Sequence, residues 1–273
     1  MNRWLNGAFA TCAFELRRSF TVQRTAVSAV LALFPPSILL ILILATRMSG
    51  NAQAHVPILD YSRLLTVFLV ALVCLLTALL WATPNVYSEI EGKSWGFIAS
   101  RPGGRISVFL GKFLASFFVS FSVSVIAISL CVFLADRSFG VPDSHGLWIA
   151  ICAVFFFGSL VYSAVFSMIG TLFIKRSMVV AAGYLFGSDV ILASIPGALI
   201  SKLTIRFHLQ ELGIAWIGWF LPSPSTEADY RLIYGDALPF WIHILVLIGI
   251  TTLVLAVGGW TIVNREYITK DDS

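Results

Sequence analysis

Long apolar runs alternate along the chain with short polar connections, and the length of each run decides what it is. A hydrocarbon layer about 30 Å thick takes about 20 apolar residues as helix. Six runs reach that length, at Ala26–Met48, Leu64–Pro84, Ile106–Ala135, Leu147–Phe173, Met178–Ile200 and Phe240–Val263. The pattern predicts an all-α fold, a polytopic membrane protein with six transmembrane helices. Residues 1–25 precede this transmembrane domain of residues 26–263, and residues 264–273 form a tail.

Two further segments are apolar on one side only, or too short to span. Leu5, Phe9, Cys12, Leu16 and Phe20 recur at steps of four, three, four and four, with Arg3, Arg17 and Arg18 elsewhere on the wheel. This periodicity predicts an amphipathic helix. It fits an interfacial helix lying on the membrane, and it also fits a helix packed on another protein surface. Within the long connection Ser201–Pro239, the stretch Leu209–Leu221 carries Trp216 and Trp219 and runs into Pro222 and Pro224. Indole rings favour the headgroup level, so a re-entrant or interfacial segment before the last span is expected, with a seventh span as the alternative.

Composition supports lipid as the main solvent: 58% of residues are hydrophobic and 12% charged, against about a quarter charged in ordinary globular chains. Charge then gives the orientation. One face collects Arg3, Arg17, Arg18, Arg24, Lys93, Arg101, Arg105, Lys112, Lys175, Arg176, Arg265 and Lys270, twelve of the 18 basic residues. The other has Arg47, Arg63, Arg137, Lys202, Arg206 and Arg231. Positive charge stays inside, so both termini are expected in the cytoplasm of a bacterial inner (plasma) membrane protein. The first run follows a polar and amphipathic stretch, exceeds the usual signal core and lacks a small-residue cleavage site, so it is expected to stay as a helix. The basic residues form no stripe of the kind that binds nucleic acid. Cys12, Cys74, Cys131 and Cys152 have neither disulfide nor zinc spacing.

No energy source is written in the chain. Gly104 to Lys112 comes nearest to a phosphate loop, but six residues separate Gly104 from Gly111, Phe113 replaces the Ser or Thr, and a membrane helix follows. His55, His145, His208 and His243 look scattered singly on or near the outer face, with no histidine-based catalytic motif and no metal site. The informative stretch is the connection Asn85–Arg105, NVYSEIEGKSWGFIASRPGGR. Val86, Ile90 and Phe97 share a helical face, Glu89 stands four residues before Lys93, Gly92 is placed to break the helix, and Arg101-Pro102-Gly103-Gly104 reads as a turn. Such a short amphipathic helix either lies on lipid or docks into a groove of a soluble partner.

Glu89-Ile90-Glu91-Gly92-Lys93-Ser94-Trp95, followed by Ser100-Arg101-Pro102, Arg105 and Leu110-Gly111-Lys112, resembles the loop between the second and third spans of type-2 ATP-binding-cassette (ABC) exporter permeases. In that family an acidic-Gly-(Lys/Arg)-(Thr/Ser) run leads to an Arg-Pro turn, another Arg, and Leu-Gly-Lys. Ser94 departs from the usual Thr. The whole layout is similar as well. The resemblance implies a permease subunit without its own ATPase site, moving substrate by alternating access. It also implies a cytoplasmic ABC ATPase subunit in two copies, which would hold ATP and Mg, and a second permease copy or a similar chain. Glu89, Ile90, Glu91, Gly92, Lys93, Ser94, Trp95, Phe97, Arg101 and Arg105 would then couple to the ATPase, with Ile90 and Trp95 or Phe97 burying against it. A secondary transporter, and an anchor that recruits a cytoplasmic partner, are the alternatives from other classes.

Asp189 is the one acid well inside a predicted span, in the fifth. It reads either as a residue of the translocation path or as a structural carboxylate, bonded to hydroxyls such as Ser188 or Ser194 or placed near an unwound turn at Pro196. Lys112, two turns past Arg105, is expected to snorkel to the headgroups. Pro35-Pro36 is expected to interrupt the first span's hydrogen bonds and kink it. Gly158, Ser159, Ser163, Gly170 and Ala181 to Gly183 would let a second permease copy approach closely.

Overall fold

The computed structural model describes residues 2–49, 71–92, 94–101, 103–139, 143–192, 201–217 and 238–266. Nearly all of these are helical, and they contain no strand. The elements are α1 (Asn2–Ser19), α2 (Val22–Ser49), α3 (71–82), α4 (Tyr87–Glu91), α5 (Trp95–Ala99), α6 (Gly104–Phe139), α7 (Ser144–Leu172), α8 (Ser177–Leu185), α9 (Ile205–Ile217) and α10 (Phe240–Asn264). Among the described residues five helical stretches are long and apolar enough to cross a membrane: Val22–Ala45, Ala71–Glu91, Gly104–Ser138, Ser144–Leu172 and Phe240–Asn264. The chain is an all-α, multi-pass membrane protein.

These five overlap predicted spans one, two, three, four and six. The second is described only from residue 71. The fifth, Met178–Ile200, is described as far as residue 192. Its first half is α8, and the helix then widens into a π-helical segment, Phe186–Ile191. Positions 193–200, most of the connection beyond Ile217, Lys93, Pro102 and the end of the tail lie outside the described residues.

The core is built around α7, which packs against α6, α8, α9 and α10, while α6 in turn carries α1 and α2. The sequence of α7 explains its central place. Ser159, Ser163, Ser167 and Thr171 repeat every fourth residue, all fully buried, and form a narrow face that admits neighbouring backbones. Ser159 Oγ lies 3.3 Å from Cys74 Sγ, Ser120 Oγ donates to the Cys74 carbonyl at 3.0 Å, and Asn85 Nδ2 donates to Ser167 Oγ at 3.1 Å. A Cβ on Gly170 would lie 2.5 Å from the Thr83 carbonyl oxygen, so the approach of α7 to the end of α3 requires glycine. The small residues expected to receive a second permease copy are thus mostly used inside this chain: Gly158, Ser159, Ser163, Gly170 and Ala181 are buried, and of that set only Gly183 is exposed.

On α1 the face that meets α6 overlaps the apolar stripe only in part. Ala8, Cys12 and Glu15 are buried against α6, whereas Phe9 and Phe20 point outward. Close backbone approach, rather than large apolar side chains, selects this face: a Cβ on Gly111 of α6 would lie 2.6 Å from the Ala8 carbonyl oxygen. The helix of the first span runs on through Pro35 and Pro36, both buried, although each lacks a main-chain donor.

Candidate functional site

The connection between α3 and α6 is a folded unit. After the turn at 83–86, Ser88 N–H bonds the Pro84 carbonyl at 2.9 Å and α4 begins. Gly92 caps α4, its N–H reaching the Ser88 carbonyl at 3.1 Å. The chain then folds back: Ser94 N–H donates to the Glu89 carbonyl at 3.0 Å, and the Ser94 hydroxyl donates to the Glu89 carboxylate. Hence the Glu89 to Phe97 stretch is two short helices, α4 and α5, and not one. Past α5, the Gly104 N–H bonds the Arg101 carbonyl at 2.9 Å, and Gly103 takes a positive φ of 72°. This closes the expected turn and starts α6.

Lys112 holds this unit together, and the snorkelling expectation is corrected. Its side chain is 4% exposed. Nζ lies 2.5 Å from Glu89 Oε1 and donates at 2.9 Å to both the Asn85 carbonyl and Ser88 Oγ. Those three contacts use the three protons of the ammonium. Glu15 of α1 adds a second carboxylate at 3.4 Å and is itself 3.7 Å from Arg18. Glu89 therefore pairs with Lys112 through one oxygen and with Ser94 through the other. One buried cation joins α1, α4 and α6, and a buried pair with every site filled is costly to break from one side.

A second anchor is apolar. Trp95, expected at the partner-facing surface, is 4% exposed and belongs to a cluster with Val86, Phe109 and Ile262 of this same chain. Ile90 packs against that cluster. Arg105 donates to the Val263 carbonyl at 2.8 Å, supplying a cation and a donor to the C-terminal end of α10. Arg265 does the same for α7 at the Leu172 carbonyl, 2.6 Å away. The unit is thereby fixed to α10 as well as to α1 and α6. What remains outward is Glu91, Gly92, Gly96, Phe97 and Arg101, with Phe97 77% exposed. Tyr87, 40% exposed, donates to Glu91 Oε1 at 3.3 Å. The ten residues singled out in the sequence thus divide into an inner set, Glu89, Ile90, Ser94, Trp95 and Arg105, and an outer set, Glu91, Gly92, Phe97 and Arg101; Lys93 is outside the described residues.

The profile of a family described as ABC-2 family transporter protein matches residues 46–260, most of the chain. The chain belongs to this family. It is the permease component of an ABC transporter, and the family pairs such membrane subunits with an ABC ATPase. No curated protein matches the chain.

At the opposite end of α10, the permease has polar groups that sequence reading did not bring together. His208 of α9 and His243 of α10 are buried, with their Nδ1 atoms 2.9 Å apart, and Phe207 meets the edges of both rings. They are not scattered singly. Burial, and then the neighbouring His243, push the His208 imidazole down to about 4. Glu211 is buried one turn further along α9. Beside this pair Arg206 donates to the main-chain carbonyl of Asp189 at 2.6 Å. Asp189 itself lies in the π-helical segment, buried, with Ser188 Oγ 3.4 Å from its Oδ1. Among the described residues no group of three or more His, Cys, Asp or Glu side chains is placed to hold a metal. Neither the partners of Lys112 nor the histidine pair had a local signal in the sequence: the Glu15, Glu89 and Lys112 triad spans three helices, and the two histidines are 35 residues apart.

Proposed function

We propose that the permease forms an export complex in which the α4–α5 unit receives the stroke of a separate ATPase. The observation that carries this reading is the two-sided character of the unit. Its inner side is locked to α1, α6 and α10 by Lys112, Trp95 and Arg105, and its outer side offers an exposed aromatic ring flanked by an acid and a base. A rigid element with a free aromatic anchor is suited to a groove. The twelve-to-six division of basic residues supports placing this side, and both termini, in the cytoplasm of a bacterial inner membrane.

The complex we propose has two permease copies, or this chain with a similar one, and two ATPase subunits holding ATP and Mg, so that two sets of spans enclose the path in alternating access. Cargo moves outward from the ATPase side. Because the small-residue face of α7 is occupied internally, the second copy meets other surfaces of the chain.

Capture of the ATPase by tagged permease tests the reading. Truncating a buried interface aromatic costs on the order of 2 kcal/mol, about a thirtyfold loss of affinity. Phe97→Ala and Glu91→Lys should therefore reduce capture and ATP-driven transport while the permease stays folded in the membrane. If the outer side lies on anionic lipid instead, Glu91→Lys strengthens surface binding and leaves capture undiminished, and the coupling role falls.

A further inference from the structure

Asp189 is buried in the π-helical segment Phe186–Ile191. A π-helical turn widens the helix by a residue and is frequent at functional sites. Here Arg206 binds the Asp189 main-chain carbonyl. Among the described residues the guanidinium makes no ion pair with the carboxylate, although its charge is close by. Ser188 and the Tyr162 hydroxyl lie beside the carboxylate. Its Oδ2 is buried and has no hydrogen-bond partner among the described residues. Tyr162 also stacks on Phe166, with ring centroids 6.1 Å apart.

A buried carboxylate oxygen with unspent acceptor capacity calls for a further donor, and a cationic one satisfies it best. A hard metal ion would need several more oxygen ligands, and the described residues assemble no such set. A compact ammonium needs less: one carboxylate oxygen, nearby hydroxyls and an aromatic face. We propose that Asp189 binds the cationic head, a primary ammonium, of an amphiphilic cargo, with Oδ2 as acceptor and Tyr162 beside it. The inference rests on reading the chain as a cargo-carrying permease and adds to it the class of cargo.

Permease in phosphatidylcholine nanodiscs can be treated with dicyclohexylcarbodiimide, which modifies protonated carboxyls in apolar surroundings, and the Asp189 peptide followed by mass spectrometry. At constant pH, n-dodecylammonium at a concentration occupying most sites should slow modification roughly fivefold. Dodecan-1-ol should leave the rate unchanged. The same ammonium should raise the unfolding temperature of wild type, raise it less for Tyr162→Phe, and leave Asp189→Asn unmoved. Both variants keep side-chain volume, and their unliganded unfolding transitions report whether they are folded. Equal slowing by both amphiphiles overturns the proposal, because the site then recognises a chain and not a charge. No slowing overturns it as well, since the carboxyl then takes only a proton, and so does absence of modification at Asp189 in wild type. The experiment contains no ATPase, so its failure leaves the capture result for Phe97→Ala standing, and the reverse also holds.

Discussion

Lys112 and Asp189 are both ionisable side chains buried to within a few per cent in a chain that is mostly apolar, yet they are housed in opposite ways. Lys112 has a partner for each of its three protons and a second carboxylate in reserve. Asp189 has one long contact to Ser188, a tyrosine alongside and an oxygen with no described partner. A fully satisfied charge costs much to disturb from one side and so serves to fix geometry, whereas an incompletely satisfied one holds interaction capacity for something that arrives later. The end of the molecule that meets the proposed ATPase is built on the first principle. The interior around the π-helical segment Phe186–Ile191 is built on the second.

The sharpest way to break this contrast is at Lys112. Lys112→Ala strands Glu89 and Glu15 without their shared cation, and losing one partner of a buried pair costs about 3–5 kcal/mol. A large fall in unfolding temperature is expected, together with faster proteolysis within residues 87–101. Lys112→Met combined with Glu89→Gln should recover much of that loss, because no unpaired charge is left at position 89. If the double variant is as unstable as the single one, the ion pair is not what holds the unit.

Next in size is the pair of aromatic residues two positions apart. Trp95→Ala empties a packed cluster and should cost about 3 kcal/mol or more of stability. Phe97→Ala removes an exposed ring and should change stability by no more than about 0.5 kcal/mol, while reducing ATPase capture. Measuring both quantities for both variants separates the inner side from the outer. Equal behaviour of the two would erase the distinction.

A smaller effect is expected from pH at the histidine pair. His208 titrates near 4 in the fold, below its ordinary value of 6.5. The unfolded chain therefore takes up a proton first as pH falls, so the stability associated with neutral His208 is complete above about 6.5 and declines as pH drops toward 4. Unfolding midpoints of wild type should fall more steeply across that window than those of His208→Gln. Parallel curves would mean that the imidazole is not buried in its neutral form.

Smallest of all is the expected stability change at Asp189. Asp189→Asn replaces a carboxyl that no described group fully satisfies, so stability should stay within about 1 kcal/mol of wild type, or rise. A loss comparable to that of Lys112→Ala would place Asp189 with the fixed charges after all.

The spans were legible because a membrane imposes a length: an unbroken apolar run as long as Phe240–Val263 suits a membrane crossing and little else, and the helix found, Phe240–Asn264, differs by one residue. The motif from Glu89 to Lys112 was legible as a motif, and the family match agrees with it. Which of its residues face inward was not. Trp95 and Phe97 are both aromatic and both near the right face of a wheel drawn for one helix, but the reversal at Gly92 and Ser94 breaks that wheel into two. Lys112 was misread for a related reason. Its distance to the headgroups follows from helix rise alone, whereas its actual partners depend on how α1 and α4 pack across α6. On α1, periodicity marked the apolar stripe with Cys12 in it, but not that Ala8 and Glu15 would join Cys12 where the backbones of α1 and α6 pass closely.

That close passage restricts how this sequence can drift. At Gly111 and Gly170 the first atom of any side chain would meet a main-chain carbonyl oxygen, which has no rotamer by which to withdraw. Substitution there requires two helices to separate, and at Gly111 the separating helix is the one that brings Glu15 to Lys112. Related permeases that keep this architecture should therefore hold glycine at these two positions even where the lipid-facing residues around them have been exchanged freely. A lineage that has lost the first glycine should have lost the Glu15 carboxylate, or changed the course of α1, along with it.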